Sequence, residues 1–330
     1  MTTIRAAALL LGLVAVGACG GTDDPELPDA PTSDEALVIG EILHARLAGI
    51  DDTEGLWIQN PTSFALWRDS IAVADGGAAR IHLLSPDLSG GRSFGATGEG
   101  PGELLRPARL QAVDDTLVVY DRAGRVTWFT ASGTAVHQQS LMIGSMNPGF
   151  VAGPNREVWY PVREPEWYAR VVRDGVATPA IPRDSTLVHS GPLGVANALV
   201  PHASGPIAVD MENARVIFSN RGEPATVSPP PEVYARLRAR ADELTSLPER
   251  WANPFVQVGR ASDGVVVWFP FQSGEVGAIV TVDGGWRPIR TGTTEVPAYA
   301  EAILVVGDRL YLGSSDGVRI YRLEASPVTP

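Results

Sequence analysis

Three acids close three similar apolar runs: Asp75 ends Asp69-Ser-Ile-Ala-Val-Ala-Asp75, Asp121 ends Asp115-Thr-Leu-Val-Val-Tyr-Asp121, and Asp210 ends Pro206-Ile-Ala-Val-Asp210. Carboxylate oxygens are hard ligands, and several of them at one mouth would suit Ca²⁺. An Asp at a strand end also caps its own turn by a side-chain hydrogen bond. The same acid at the same place in repeated units is what structural repetition produces, so turn capping leads and metal ligation is the alternative. The stretch Gly95 to Glu103, GATGEGPGE, has the look of an anion cradle, because glycines let backbone N–H groups come close. No Gly-Lys-Ser/Thr follows it, Pro101 removes a donor, and Glu99 and Glu103 would repel phosphate. It reads as a connection that uses glycine for its backbone freedom, with Glu99 and Glu103 kept as candidate ligand contacts on a surface loop. Gly313-Ser-Ser-Asp-Gly317 matches the Gly-x-Ser-x-Gly pattern of a serine nucleophile. A strand rather than a helix is expected from Val318, so the match reads as a hairpin turn. The histidines, His44, His82, His137, His189 and His202, show no H-x-x-x-H spacing for zinc. Of the eight tryptophans most belong to a core, and Trp167, in Glu164-Pro-Glu-Trp-Tyr168, is the one expected in a long exposed turn, where it would stack on a planar ligand.

Composition removes whole classes of function. All 26 basic residues are arginine, which excludes Schiff-base chemistry, pyridoxal phosphate attachment and the lysine of a P-loop. A formal charge of −12 argues against a nucleic-acid partner, which needs a basic surface. Cys19 is the single cysteine, so an intramolecular disulfide and a cysteine-based metal cluster are both excluded.

The position of Cys19 is informative. Arg5 supplies a short positive start, and Ala6 to Val16 form an apolar run too short to span a bilayer as a helix. Val16-Gly17-Ala18-Cys19 then resembles the lipobox of bacterial lipoproteins. That resemblance implies removal of residues 1–18 and acylation of Cys19, with Gly20 at the next position pointing to the outer membrane. Residues 19–35 hold three prolines, six acids and little that is apolar, so they read as a flexible acidic tether. The chain is expected to be exported and tied to the cell envelope by its lipid alone.

Folding is expected from residue 36, and the chain from there reads as all-β. Ala36 to Ile42 and Leu56 to Ile58 look like strands. Paired short strands then recur, three of them acid-ended: residues 69–75 with 80–84, 115–121 with 125–129, 156–160 with 168–173, 206–210 with 214–219, 264–269 with 278–282, and 308–314 with 318–323. Asp75 and Ser314 lie five intervals and 239 residues apart, about 48 per unit. A period of that size built of short strands indicates a β-propeller of six four-stranded blades over residues 36–330. Closure is expected from Ala36 to Ile42 lying beside Val318 to Leu323. One amphipathic helix interrupts the pattern at about residues 229–247. Pro229 to Pro231 form its first turn, Ser228 lies near its cap, and Val233, Leu237, Ala241 and Leu244 form its apolar stripe.

Phe94-Gly95, Gly98-Glu-Gly-Pro-Gly-Glu103, Pro107 and Asp115 to Asp121, taken together, resemble a group of bacterial exported six-bladed β-propeller lipoproteins related to the NHL-repeat and TolB-like propellers. The match is close over residues 91–136. The resemblance implies a six-bladed ring and lipoprotein status, and no settled reaction. Two functions follow. The first is a tethered binding module for a protein or small-molecule ligand, with no cofactor. The second is a Ca²⁺-dependent hydrolase of lactonase or esterase type at the channel mouth, with Asp75, Asp121 and Asp210 as the acids that would hold the ion. Converging Asp, Glu, Asn and His side chains at the axis would favour the hydrolase. An apolar or arginine-lined mouth would favour binding.

Overall fold

The structure is a computed structural model that describes residues 35–47, 56–141, 149–164, 166–182, 197–202, 205–211, 213–218, 225–245, 257–262, 264–269, 271, 274–297 and 299–327. The signal segment, Cys19 and the acidic tether up to residue 34 lie outside them, as does His189.

The described chain is almost wholly β. After β1 (Glu35–Leu47), the strands β2 (Pro61–Trp67), β3 (Ser70–Asp75), β4 (Arg80–Leu84) and β5 (Gly91–Phe94) form one antiparallel sheet in that order. A short parallel ribbon follows, β6 (Ala96–Thr97) with β7 (Glu103–Leu104). The next sheet holds β8 (Pro107–Val113), β9 (Thr116–Asp121), β10 (Arg125–Phe129) and β11 (Ala135–Ser140). Then come β12 (Val151–Ala152), β13 (Val158–Glu164), β14 (Trp167–Arg173) and β15 (Val176–Pro182). A fourth sheet has β16 (Asn197–Val200), β17 (Ile207–Asp210), β18 (Arg215–Phe218) and β19 (Ala225–Val227). Helix α1 (Pro231–Thr245) precedes an eight-stranded sheet. There β20 (Gln257–Ala261), β21 (Gly264–Trp268), β22 (Glu275–Thr281) and β23 (Trp286–Thr291) run antiparallel, as do β24 (Ala302–Val306), β25 (Arg309–Ser314), β26 (Gly317–Pro327) and β1. The two runs meet through parallel pairs, β20 with β24 and β1 with β23.

The sheets stand in a propeller-like arrangement. Neighbouring sheets touch in order along their inner edges: β2 against β8, β8 against β12, β13 (the strand next to β12) against β16, β16 against β20, β20 against β24, and β24 against β2. The N-terminal strand lies where the sequence places it, antiparallel to the last strand with Leu37 opposite Ala325 and Ile39 opposite Leu323. A strand taken from each end of the chain thus closes the circle with backbone hydrogen bonds.

Side-chain periodicity explains why the middle strands are apolar throughout. Successive residues of a strand point to opposite faces, and here both faces are buried. In β9, Leu117 and Val119 pack with Ile81 and Leu83 of the preceding sheet, while Val118 and Tyr120 pack with Phe150 and Val158 of the following one. The same division places Ile71 and Val73 of β3 with Tyr311 of β25, and Val265 and Val267 of β21 with Val209 of β17. Each neighbouring pair of inner strands therefore has its own apolar layer beside it.

Two expectations need correction. Leu56 to Ile58 carries no strand, although Leu56 and Ile58 are buried between β3 and β25. The next two amides, of Gln59 and Asn60, donate to the Asp75 carboxylate, so no strand ladder takes them. The turn around Trp167 is short: β13 runs on to Glu164 and β14 starts at Trp167, with those two residues paired. Helix α1 appears within the expected span. Pro230 rather than Ser228 is its cap, since the Pro230 carbonyl accepts from Tyr234 N–H at 2.9 Å and Pro231 takes the first helical position. Val233 and Leu237 are buried in the layer between β17 and β21, and Arg236 Nη2 donates to Glu275 Oε2 at 2.9 Å.

Side-chain amides and hydroxyls staple the inner strands. Gln111 of β8 donates from Nε2 to the Ala152 carbonyl at 2.8 Å and accepts from Ala152 N–H at 2.7 Å, so it pairs with β12 as a backbone residue would. Thr62 Oγ1 donates to the Pro107 carbonyl at 2.8 Å, and Ser63 Oγ accepts from Leu110 N–H at 3.0 Å. Replacing Gln111 by Leu should leave a buried N–H and C=O on Ala152 without this partner and cost roughly 2 kcal/mol. A denaturant midpoint equal to wild type at unchanged slope would show that the staple adds nothing.

Candidate functional site

The inner strands β2, β8, β16, β20 and β24 and the segment before β12 surround an axial cavity of about 60 Å³. Backbones come close there. A Cβ on Gly149 would lie 2.4 Å from Leu199 N, and one on Gly259 2.1 Å from the Ile303 carbonyl oxygen, so only glycine fits at these two places. Phe64, Leu110, Phe150, Leu199 and Ile303 fill much of the axis, and the space left is far below the roughly 300 Å³ of a pocket that swallows a drug-sized ligand.

The polar groups at this cavity are chiefly hydroxyls, amides and guanidiniums: Thr62, Ser63, Gln111 and Gln257, with Arg109 and Arg260, and Glu301 as the one acid. The amides are already engaged. Gln111 is paired with Ala152, and Gln257 donates from Nε2 to the Glu301 carbonyl while its Oε1 accepts from Val258 N–H. Arg109 Nη1 donates to the carbonyls of Thr62 and Ala108, both at 3.0 Å. Burial pulls the Arg109 pKa down to about 10, helped by the Arg122 charge, and the group stays cationic at neutral pH. Neither Arg109 nor Arg260 makes an ion pair among the described residues. Sequence patterns missed both arginines because they sit on different strands with no local motif between them.

Asp75, Asp121 and Asp210 stand at three separate turns, each in its own hydrogen-bond set. Asp75 accepts from the N–H groups of Gln59, Asn60, Gly77 and Ala78 at 2.6 to 3.0 Å. Asp121 repeats this with Leu105, Arg106 and Ala123. In both, the donors lie 16 and 15 residues before the acid and two after it. Each carboxylate thus clasps the entry to an inner strand as well as its own turn. Asp210 accepts from Asn213 N–H, Asn213 Nδ2 and the Tyr168 hydroxyl of the neighbouring sheet. Among the described residues no group of three or more His, Cys, Asp and Glu is placed to hold a metal ion.

The GATGEGPGE loop is organised by Arg125, which its sequence does not announce. The Arg125 guanidinium donates to the carbonyls of Gly98, Glu99 and Glu103 and to Asp121 Oδ2 at 3.4 Å. Glu103 Oε2 accepts from Gly100 N–H at 2.7 Å, and the Glu99 side chain is exposed. The cation faces the loop's carbonyls, so the loop is a blade connection in geometry. Ser315 of the Gly-x-Ser-x-Gly match sits in the β25–β26 hairpin turn. Trp167 is half-buried in β14, and among the described residues the exposed tryptophan is Trp57, just before β2.

Behind Asp75 runs a buried relay that sequence spacing also hid. His82 Nε2 lies 3.3 Å from Asp75 Oδ2 and its Nδ1 lies 2.7 Å from Ser93 Oγ. With the Nε2 hydrogen donated to Asp75, Nδ1 accepts from the Ser93 hydroxyl, and β3, β4 and β5 are tied in a row. His82 is 1% exposed and Asp75 0%, so substrate has no path to either. Burial pushes the Asp75 carboxyl up, but hydrogen bonds from His82 and from the Gln59, Ala78 and Asn60 amides outweigh this and bring its pKa to about 2. The folded pKa lies below the unfolded one, so the stabilisation is present above about pH 4 and is lost as pH falls through about 2. It amounts to roughly 2 kcal/mol at neutral pH. Urea midpoints measured from neutral pH downward should fall over that window, and the fall should shrink in Asp75→Asn, which is already weakened at neutral pH. Parallel acid limbs for the two proteins would rule the clasp out as the cause.

No protein-family model and no curated protein matches the sequence. Solved structures do match in shape. A member of the DUF4221 family from Bacteroides vulgatus superposes with a TM-score of 0.59 at 8% identity, covering 89% of this chain and 99% of that one. A protein from Bacteroides fragilis described as exported gives 0.56 at 9% identity, covering 91% and 97%. A streptogramin B lyase gives 0.52 at 12% identity, covering 88% and 98%. At these identities the likeness is one of fold, and the fold is propeller-like.

Proposed function

We propose that this chain is a six-bladed β-propeller of the exported NHL-repeat and TolB-like kind, anchored to the cell envelope, in the outer membrane, through acylated Cys19, and that it serves as a binding module for a small-molecule ligand or protein partner. The blade count rests on dividing the eight-stranded sheet into its two antiparallel four-stranded runs. The exported address is supported by the Cys19 sequence and by a similar structure described as exported. No helix among the described residues is long and apolar enough to cross a membrane, so the lipid is the proposed attachment.

The observation that carries the binding reading is the chemistry at the axis. The charged groups lining the cavity are two arginines, Arg109 and Arg260, against one exposed acid, Glu301, while Asp75, Asp121 and Asp210 are each engaged in turns. A guanidinium at neutral pH is a donor and a cation but no base, so it holds a ligand more readily than it activates water.

Two measurements test this. Cys19→Ser should abolish incorporation of labelled palmitate and move the protein from the membrane to the soluble fraction; a variant that stays lipid-labelled would refute the anchor. Melting curves of the purified protein in chelator and in added Ca²⁺ should coincide, with no hydrolysis of a lactone and ester panel in either. Ca²⁺-dependent turnover would replace the binding module with the hydrolase.

A further inference from the structure

We propose that the axial cavity is an oxyanion site, in which Arg109 grips a carboxylate or phosphate group through its Nε–H and Nη2–H edge and Arg260 adds a second positive charge. This rests on the binding-module reading and gives that module its ligand class.

The argument is an account of every polar group at the cavity. Thr62 Oγ1 donates to the Ala74 and Pro107 carbonyls. Gln111 and Gln257 have both ends of their amides engaged. Ser63 Oγ accepts from Leu110 N–H, which leaves its own hydrogen to give. Arg109 has one nitrogen, Nη1, fixed by the Thr62 and Ala108 carbonyls. That anchoring sets the guanidinium plane and leaves the Nε–Nη2 edge, whose two parallel N–H groups match the two oxygens of one carboxylate or phosphate. Arg260 has no side-chain partner among the described residues, and the exposed acid Glu301 pairs with neither arginine. What the cavity has left to offer is therefore chiefly donors, with two positive charges against the one carboxylate of Glu301 at its exposed rim.

Size narrows the ligand. A volume of about 60 Å³ holds a handful of waters or one small oxyanion, so the ligand is either a small free anion or the acidic end of a larger molecule that stays outside. The formal charge of −12 does not forbid this, because charges farther off than about 10 Å are screened at ordinary salt.

The test uses the full-length chain, purified in detergent and carrying nitrogen-labelled arginine, with acetate and inorganic phosphate as separate probes at constant ionic strength. Arg109 and Arg260 Nε–H signals are assigned in NMR spectra by their loss in Arg109→Gln and Arg260→Gln. Saturable movement of the Arg109 signal is expected. The melting temperature should rise by about 3 °C at roughly tenfold excess over Kd. Arg109→Lys, which keeps charge but not the two-donor edge, should bind at least about tenfold more weakly. A larger response to acetate would assign a carboxylate, and a larger response to phosphate a phosphoryl group. An Arg109 signal unmoved by both probes overturns the proposal, as does stabilisation that survives in Arg109→Gln, which would put the anion elsewhere and leave the binding module standing. Ca²⁺-dependent hydrolysis would instead remove the binding module itself.

Discussion

Each large sheet of this protein has two apolar faces, and neither can be left in water. A sheet with one apolar face can be covered by a helix or a second sheet, but a two-faced sheet needs a neighbour on each side, and so does that neighbour. The arrangement ends only when the last sheet meets the first. Here that closure is made by the layer joining Ile71 and Val73 of β3 to Tyr311 and Val318 near the chain's end, and by β1 pairing with β26. The narrow axis is a consequence, because sheets packed face to face bring their inner edges together until Gly149 and Gly259 touch the next backbone.

Closure creates a hydrogen-bonding problem at the inner edges and at the entries to the inner strands, where backbone groups have no neighbouring ladder. Different side chains solve it in different places. At the entries to β2 and β8 a carboxylate with several acceptor sites collects N–H groups, as Asp75 and Asp121 do. In the loop after β5 the exposed groups are carbonyls, and Arg125, a pure donor, collects three of them. Between β8 and β12 one donor and one acceptor are needed together, and the amide of Gln111 supplies both. Helix α1 meets the same two-sided demand by laying Val233 and Leu237 into an apolar layer and tying Arg236 to Glu275.

The architecture was legible because two-sided burial leaves a local mark: continuous runs such as Leu117-Val-Val-Tyr120 ended by a turn acid, repeated at a period. β1 could be placed beside β26 because closure demands a strand from the other end of the chain. The site was much less legible. Arg109, Gln111, Gln257 and Arg260 come from strands about 150 residues apart, so no spacing relates them. His82 and Ser93 escaped for a similar reason, since cross-strand partners in a sheet are set by register rather than by sequence separation. Trp167 was placed in a long turn, whereas the pairing of Glu164 with Trp167 makes that turn short.

Arg125 and Arg109 show how similar groups can end in opposite electrostatic states. Both guanidiniums are held against backbone carbonyls, which satisfy donors but neutralise no charge. Arg125 also has the Asp121 carboxylate at 3.4 Å, so its cation is compensated inside the fold. Arg109 has carbonyls alone, with Arg122 as a further positive neighbour that helps lower its pKa. Removing a cation from water without a counter-charge is unfavourable. The two carbonyls account for its position in the ring, yet a neutral donor, the amide of Gln111 two residues along β8, does comparable work without that cost. The uncompensated charge is therefore the part of Arg109 that packing alone does not explain, and it borders the axial cavity.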